Sequence, residues 1–372
     1  MAVVVGGVGT GLYFANQNTS GKTISEKTSQ KLDYINKLID AKFLNKVNES
    51  DLEDGIYKGL LEGLNDPYSV YYTAEEYRKM MEQTSGTYSG IGALVSQNAE
   101  TGIITVVKAF ADAPAAKAGV KNGDIIYKVK GKEVTGVDIN NVVTEMKGEK
   151  GTTVDITVYR ESEKKYIDFT ITRDQVNEPT VEYKMLDKKK KIGYIQISQF
   201  EEVTYDQFTK ALDDLKKQGM KAVIFDVRSN PGGLYETVCK MLDEILPEGN
   251  LVSTKDKYGN EEKQTSDSKC LEMPMVVLQN KDSASASEIF AGAIQDFNAG
   301  KIVGTQSFGK GIVQTILPLS DGSAVKLTVQ DYYTPSGKNI HGKGITPDVE
   351  AELEENATSD TQLEKAKEQL WN

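Results

Sequence analysis

Histidine and cysteine are scarce in this sequence. Its 372 residues include one histidine, His341, and two cysteines, Cys239 and Cys270. The two cysteines have neither the spacing of a metal site nor the number needed for a disulfide framework, so they either form one disulfide or stay free thiols. A hydrolase that needs histidine as its base would have only His341. Nothing in the sequence indicates a metal or a cofactor.

Positive charge is also in deficit. The chain has 44 lysines and arginines against 55 aspartates and glutamates, a net charge of −11. Binding to phosphates needs concentrated positive charge, so we expect no nucleic acid partner. The lysine run 188–191 is typical of a solvated turn. The composition is that of a soluble globular protein, and the length predicts two or three domains.

The apolar run near the N-terminus is too short to cross a membrane. It covers residues 2–14, 13 residues against the roughly 20 that a transmembrane helix needs. Its glycines lack the G-x-G-x-x-G spacing of a dinucleotide-binding loop. We interpret residues 1–24 as the remainder of a membrane anchor or signal segment with its linker, which predicts a tether at the N-terminus.

The sequence pattern divides the rest of the chain into regions. Residues 25–86 show helical periodicity, and residues 87–173 change to short β-like runs separated by Gly, Asn and Asp. From Lys191 onward strands and helices alternate, which predicts an α/β layer with parallel strands in a core domain of residues 174–355. Residues 356–372 are predicted to end the chain as a helix. The fold class is therefore α/β multidomain, with a helical N-terminal region and an inserted β-rich module.

The stretch DSASASEIFAGA, residues 282–293, allows two interpretations. Ser285 and Glu288 fit a helix capping box, and Gly300 could close the helix that follows. Alternatively, one of the three serines is a nucleophile. Ligands bind beyond the carboxyl ends of the strands in open α/β sheets, where this loop and loop 228–233 must both lie. Both loops lead into helix N-termini, whose N–H groups can stabilise an oxyanion.

The segment GTQSFGKGIVQ, residues 304–314, nearly matches a nucleotide-binding P-loop. A P-loop continues with Ser or Thr and then a helix, whereas Gly311 follows Lys310 here and a strand is predicted next. Along an extended chain, Lys310 and Gln314 would point to one face. A buried, neutral lysine can act as the base that histidine supplies elsewhere, so these residues suggest a Ser-Lys hydrolase. Nucleotide binding through 304–310 stays open as another interpretation.

Seven stretches in order resemble signatures of the C-terminal processing proteases, also called tail-specific proteases. They are LNDPYSVYYTAEEY, YSGIGALV, APAAKAGVKNGDII, DVRSNPGGL, SASASEIFAGAIQDF, SFGKGIVQ and YYTPSGKNIHGKGITPDV. The resemblance covers nearly all of residues 32–370. It implies a PDZ domain inserted before a crotonase-like α/β serine-protease core, and an endopeptidase that cleaves proteins near their C-termini. It also implies an extracytoplasmic location, membrane-anchored or secreted, in a bacterium.

The resemblance implies the catalytic residues as well. Ser285 would be the nucleophile, Lys310 the general base, and Gln314 the side chain that orients the lysine. Asp282 stands where a glycine is common in the family, which leaves the serines intact. His341 lies in a turn where family members vary, and we interpret it as structural.

The implied PDZ domain would bind the free, apolar C-terminus of a protein or peptide substrate. Its carboxylate-binding loop falls within residues 88–94, where the donors would be Gly90, Ile91 and Gly92.

The implied oxyanion hole would use the backbone N–H groups of Ala286 and of either Gly232 or Gly233. An active endopeptidase is the favoured interpretation. The main alternative is a catalytically silent PDZ adaptor or scaffold that keeps the protease fold. The amphipathic segments KLDYINKLIDAKF and TQLEKAKEQLWN suggest a homodimer.

Overall fold

The computed structural model describes residues 25–353 and 359–371. The predicted anchor and linker, residues 1–24, lie outside the described residues. Of the helices that are described, none combines the length and the apolar character that crossing a membrane requires. The chain divides into two compact units. Of the described residues, the larger comprises Arg78–Val313 and those from Gln330 onward, and the smaller comprises residues 25–77 and Gln314–Val329.

The helices of the described chain are α1 (Glu26–Lys42), α2 (Glu49–Glu62), α3 (Ala74–Ser85), α4 (Pro114–Ala118), α5 (Ile139–Met146), α6 (Thr204–Lys217), α7 (Tyr235–Asp243), α8 (Ala286–Asp296) and α9 (Thr361–Gln369). The strands are β1 (Val70–Tyr72), β2 (Thr87–Gly90), β3 (Ala93–Gln97), β4 (Ile104–Ala109), β5 (Ile125–Val129), β6 (Lys132–Glu133), β7 (Thr153–Arg160), β8 (Lys165–Thr172), β9 (Asp174–Asn177), β10 (Val181–Asp187), β11 (Ile192–Ile197), β12 (Ala222–Asp226), β13 (Gly249–Asp256), β14 (Glu261–Ser266), β15 (Met275–Gln279), β16 (Gly300–Gly304), β17 (Ile312–Pro318), β18 (Ala324–Tyr333) and β19 (Val349–Glu350).

The smaller unit contains α1, α2 and β1. Both helices begin at polar side chains that accept a backbone N–H: Ser25 accepts from Thr28, and Asn48 accepts from Ser50. Such caps satisfy donors that the first helical turn leaves without partners. Strand β1 pairs antiparallel with the first part of β18, which belongs to the same unit.

The β-rich module of the larger unit is an antiparallel sheet in the order β3-β4-β5-β7-β8, with β6 paired to β5. Its core is aliphatic, with Ile104, Val106, Ile126 and Val158 at most 2% exposed. The chain enters the module through β2 and leaves it through β9, and these two strands pair with each other. Because entry and exit lie side by side, the module can be inserted into the chain without separating the elements around it.

The α/β core of the larger unit contains a six-stranded sheet in the order β10-β11-β12-β15-β16-β19. All pairings are parallel except that of β10 with β11. Every residue of β12 and β15 is buried, as expected where both faces of a parallel sheet are covered. The predicted fold class, with its helical N-terminal region, β-rich module and α/β core, is confirmed.

The end of α8 differs from the sequence prediction. The helix stops at Asp296, with Phe297 as its C-cap, and does not continue to Gly300. Asn298 adopts a positive φ of 52°, a conformation that asparagine tolerates and that ends the helical path. Gly300 instead begins β16, where a Cβ atom would lie 2.5 Å from the carbonyl oxygen of Met275.

The two cysteines do not form a disulfide. Cys239 is buried in α7, Cys270 is partly exposed, and both are free thiols. Burial raises the pKa of Cys239 to about 12, because the thiolate would be poorly solvated there.

Candidate active site

Loops follow four strands at one edge of the parallel sheet. They comprise residues 198–203 after β11, 227–234 after β12, 280–285 after β15 and 305–311 after β16. These strands are neighbours in the order β11-β12-β15-β16 and run parallel, so their carboxyl ends share one edge. This edge is where open α/β sheets place their ligands. The glycine turn, the serine stretch and Lys310 therefore all lie on adjacent loops.

Ser285 sits at the N-cap of α8 and is only 3% exposed. Its φ of 58° and ψ of −110° lie in a region that non-glycine residues rarely occupy, at a cost of about 1–3 kcal/mol. Two buried partners hold this backbone. The Ser285 N–H donates to Glu288 Oε2 at 2.8 Å, and Tyr332 Oη donates to the Ser285 carbonyl at 3.2 Å. Burial, followed by the nearby Glu288, raises the pKa of Tyr332 well above its usual value, which keeps its hydroxyl a donor.

The two flanking serines tie the loop to its neighbour. Ser283 Oγ donates to the Val227 carbonyl at 2.8 Å and accepts the Asn280 N–H at 2.9 Å. Ser287 Oγ donates to the Asn230 carbonyl at 2.9 Å. Both hydroxyls are thus engaged in packing between the loops.

The Asn-Pro-Gly-Gly turn lies directly against the serine loop. A Cβ atom on Gly232, whose φ is 106°, would lie 2.8 Å from the Ala284 carbonyl and 3.1 Å from the Ala286 nitrogen, so only glycine fits. The Gly232 N–H is engaged, because it donates to Asn230 Oδ1 at 2.8 Å. For the Gly233 N–H, no hydrogen bond is found among the described residues.

Glu288 connects the serine loop to the lysine loop. It is fully buried, and its Oε2 accepts both the Ser285 N–H and the Lys310 N–H at 2.8 Å. Its Oε1 accepts the Gly309 N–H at 2.7 Å and the Ser307 hydroxyl at 2.5 Å. Lys310 itself is 4% exposed. One carboxylate thus fixes the backbone of both Ser285 and Lys310, the two residues predicted to be the nucleophile and the base.

Gln314 and His341 have different surroundings. Gln314 lies in β17 within the smaller unit, where its Nε2 donates to Thr328 Oγ1 at 3.3 Å. Its Oε1 is buried and has no hydrogen-bond partner among the described residues. His341 has an exposed side chain, and its N–H donates to Asn339 Oδ1. Its backbone lies so close to Gly311 that a Cβ there would be 2.5 Å from the His341 nitrogen. The backbone of His341, and not its imidazole, packs against the lysine loop.

The predicted PDZ loop, Gly90 to Gly92, joins β2 to β3. Gly92 has a φ of 76°, and a Cβ on it would lie 2.3 Å from that of Ala113, so the loop requires glycine at this position. The Ile91 side chain is buried in the module's core, and its carbonyl accepts the Ala115 N–H at 2.7 Å. The loop leads into β3, which forms an edge of the antiparallel sheet.

Profiles of known domains match three parts of the chain. Peptidase family S41 matches residues 191–351, the PDZ domain matches residues 89–171, and the N-terminal domain of the activating protease CtpB matches residues 11–76. A "Probable CtpA-like serine protease" of Staphylococcus epidermidis is 38% identical over 324 residues, covering 86% of this chain and 65% of that protein. A protein of the same description from Staphylococcus aureus (strain MRSA252) is 37% identical over 341 residues, covering 90% of this chain and 67% of that protein.

The chain belongs to the C-terminal processing protease family. It spans about two thirds of the length of these two relatives. Its fold is also similar to that of the photosystem II D1 C-terminal processing protease, with a TM-score of 0.51 and 28% identity, over 94% of this chain and 92% of that one. A PDZ domain inserted before an S41 peptidase core accounts for the β-rich module and the parallel sheet.

The nucleotide-binding interpretation of residues 304–310 lacks its structural context. A P-loop leads into a helix whose N-terminus holds the phosphates. In this family member the segment runs from the end of β16 through a loop into strand β17. The resemblance to a P-loop is therefore confined to the glycine and lysine spacing.

The full role of Glu288 was missed by sequence reasoning. The capping-box pattern did predict its contact with Ser285, which is local in the chain. Its bonds to Ser307, Gly309 and Lys310 join loops about 20 residues apart, and no local pattern encodes that contact. A glutamate predicted to be buried between two candidate catalytic loops would have been the available signal.

Proposed function

We propose that this protein is a serine endopeptidase that cleaves substrate proteins near their C-termini, with Ser285 as nucleophile and Lys310 as general base. The observation that carries the proposal is the shared acceptor, Glu288 Oε2, which bonds the backbone N–H of both residues. Independent loops would have no need for a common buried anchor. The burial of Lys310 also favours a neutral amine, because a charged group loses solvation there.

The proposed reaction uses these two side chains. Lys310 Nζ takes the proton of Ser285 Oγ while that oxygen attacks the scissile carbonyl carbon, and the lysine later gives the proton to the departing amine. In the second half of the reaction Lys310 Nζ takes a proton from water while the water oxygen attacks the acyl carbon. The lysine then returns that proton to Ser285 Oγ, which leaves as the free hydroxyl. For the oxyanion we assign the N–H groups of Ala286 and Gly233, since the Gly232 N–H already donates to a side chain.

Gln314 is the proposed orienting residue for the lysine. It follows Lys310 by four positions, and its Oε1 is buried without a partner among the described residues. A neutral amide oxygen can accept one hydrogen of an uncharged amine, and it adds no negative charge that would stabilise the ammonium form as a carboxylate would.

The PDZ domain would select the substrate by its free C-terminus. The loop Gly90 to Gly92 precedes the edge strand β3, which can accept a further strand from a peptide. The end of α5 lies beside this loop, since the Gly148 N–H donates to the Ser89 carbonyl at 3.2 Å. A backbone loop that leads into an edge strand suits the capture of a terminal carboxylate.

The location and assembly are proposed on the sequence. Residues 1–24 would tether or export the protein, so we place it outside the cytoplasm of a bacterium, and the two relatives named above are bacterial. The amphipathic terminal segments would support a homodimer. Fractionation of the source cells on a density gradient tests the location. Light scattering of the purified protein tests the homodimer.

A cleavage assay with matched peptides tests the activity. One peptide has a free, apolar C-terminus and the other is its C-terminal amide. We expect the protein to cleave the free peptide, the amide to be cleaved and bound at least about tenfold less well, and Ser285→Ala to bind the free peptide without cleaving it. The alternative, a silent PDZ scaffold, predicts binding by both proteins, no cleavage by either, and no labelling of Ser285 by a fluorophosphonate.

A further inference from the structure

A cavity of about 350 Å³ opens beside the glycine turn of the larger unit. Gly232 and Gly233 form one side of it, the end of α3 forms another, and loop 199–201 forms a third. Loop and turn are joined directly, because the Phe200 N–H donates to the Gly232 carbonyl at 3.0 Å. Anything that fills this cavity therefore lies next to the backbone that we assign to the oxyanion hole.

The lining of the cavity combines apolar walls with acid. Met80 and Leu234 supply apolar surface, and Glu178 and Glu201 supply two carboxyl groups. No lysine, arginine or histidine is among the described residues that line it. Such a lining is complementary to a side chain that has an aliphatic stem and a positive end.

One carboxyl oxygen of Glu201 lacks a hydrogen-bond partner among the described residues. The residue is 6% exposed, and its Oε2 is the buried, unpaired oxygen. Burial, and then the charge of Glu178, raise its pKa to about 8. Buried polar atoms are nearly always satisfied, so an unsatisfied carboxyl oxygen in a residue that lines a cavity suggests a partner that arrives with the ligand.

The position of Glu201 is fixed by its neighbours. Its N–H donates to Thr204 Oγ1 at 2.9 Å, and the next N–H, that of Glu202, donates to the Thr84 carbonyl at 3.2 Å. Gly86 leaves the space that the carboxyl occupies, since a Cβ there would be 2.3 Å from Glu201 Oε2. The backbone of Glu201 is therefore fixed, and its carboxyl has room beside Gly86, before any ligand binds.

We propose that this cavity is a subsite for a lysine or arginine side chain of the substrate, contributed by a residue that flanks the scissile bond, and that Glu201 selects it. The inference rests on the proposed peptidase function. A cation in the cavity would pair with Glu201, and its stem would cover Met80 and Leu234. The volume is at the lower end of small-ligand pockets, enough for one long side chain.

Peptides that differ at one position test the selection. A cleavable peptide with a free C-terminus carries lysine, arginine or norleucine in turn at each residue near the scissile bond. At one position we expect kcat/KM for lysine or arginine to exceed that for norleucine by about tenfold or more. Glu201→Gln should bring this ratio close to one while cleavage of the norleucine peptide persists. Glu202→Gln, which removes an exposed neighbouring charge, should leave the ratio unchanged.

The dependence on pH separates selection from a structural role. Among the residues that line the cavity, Glu178 and Glu201 are the titratable groups. In the wild type the ratio should rise as pH increases toward 8, because ionised Glu201 pairs with the cation, and the Glu201→Gln variant should lack this rise. If Glu201 had only a structural role, Glu201→Gln would lower kcat/KM for the lysine and norleucine peptides by the same factor at every pH.

Binding measurements keep the inference distinct from the proposed activity. The affinity of Ser285→Ala for the lysine and norleucine peptides gives the same comparison without cleavage. If the wild type cleaves nothing, the peptidase proposal fails, while a preference for the lysine peptide that Glu201→Gln removes would still support the cavity assignment. Equal kcat/KM and equal affinity at every position, or a preference that survives Glu201→Gln, would overturn it.

Discussion

Two buried glutamates at the same edge of the sheet have opposite environments. Glu288, on the first turn of α8, accepts hydrogen bonds from four donors that belong to two loops. Glu201, on the loop after β11, has a buried oxygen with no donor among the described residues, and its pKa is raised to about 8. One carboxyl is satisfied before substrate arrives, and the other is not.

The difference separates two functions of a buried carboxyl group. Four donors make Glu288 part of the scaffold, because charge-assisted bonds from backbone N–H groups fix where Ser285 and Lys310 lie. A carboxyl without donors adds nothing to the scaffold and costs free energy unless a ligand pairs with it. Both glutamates are buried at the same edge of the sheet. Their hydrogen-bond partners, and not their burial, therefore distinguish a carboxyl that supports the loops from one that can recognise a ligand.

The largest effect should come from removing the lysine side chain while keeping the Glu288 network. In Lys310→Ala the backbone N–H still donates to Glu288, so the loops should keep their arrangement. We expect peptidase activity to fall by about 10⁴-fold or more, as fully as in Ser285→Ala, with folding and PDZ peptide binding retained. Cleavage rates, circular dichroism and peptide affinity measure the three quantities.

His341→Ala is the matched control for that variant. Because the imidazole is exposed, cleavage by this variant should continue at a near-normal rate. Since the chain has no other histidine, this single variant tests every histidine base. If His341→Ala abolishes cleavage and Lys310→Ala does not, the base assignment is wrong.

A smaller effect is expected from Glu288→Gln, which keeps the shape of the side chain. The amide retains one acceptor oxygen but turns an N–H₂ group toward backbone N–H donors, so at least two bonds are lost. We expect the free energy of unfolding to fall by about 2–4 kcal/mol and kcat/KM to fall by about 10²-fold, because the nucleophile and base lose their common anchor.

Glu236→Gln supplies the comparison for Glu288→Gln. Glu236 is the acidic residue in the first turn of α7. Its replacement removes a favourable charge at a helix N-terminus but no bonds to Glu288, so the free energy of unfolding should fall by only about 0.3–1 kcal/mol. Equal losses in the two variants would mean that the four bonds to Glu288 contribute little.

What the sequence predicted reflects which contacts are local. The alternation of strands and helices placed the loops after β12 and β15 at one edge, and the capping box predicted the bond between Glu288 and Ser285. The cavity beside Glu201 was not predicted, because it forms where α3, the loop after β11 and the glycine turn meet. Nothing within residues 199–201 signals that their neighbours leave a carboxyl unsatisfied. The Asn230 side chain that engages the Gly232 N–H likewise became visible only in three dimensions.

The smallest effect should be on stability, through the titration of Glu201. In the unfolded chain this carboxyl loses its proton near pH 4.3, whereas in the folded protein it keeps the proton up to about pH 8. Between these values the folded state binds more protons than the unfolded state, so the free energy of unfolding falls as pH rises, by at most about 1.4 kcal/mol per pH unit. The Glu201→Gln variant lacks this titration.

Urea denaturation of wild type and Glu201→Gln at pH 5, 6.5 and 8 measures that difference. We expect the stability of the wild type relative to the variant to fall by about 1–3 kcal/mol across the range, and Glu202→Gln to follow the wild type because that neighbour is exposed. A wild type and Glu201→Gln that change in parallel with pH would show that Glu201 ionises as freely in the folded chain as in the unfolded one. The contrast with the fully bonded Glu288 would then lose its physical basis, since Glu201 would have found solvent or a donor for its buried oxygen.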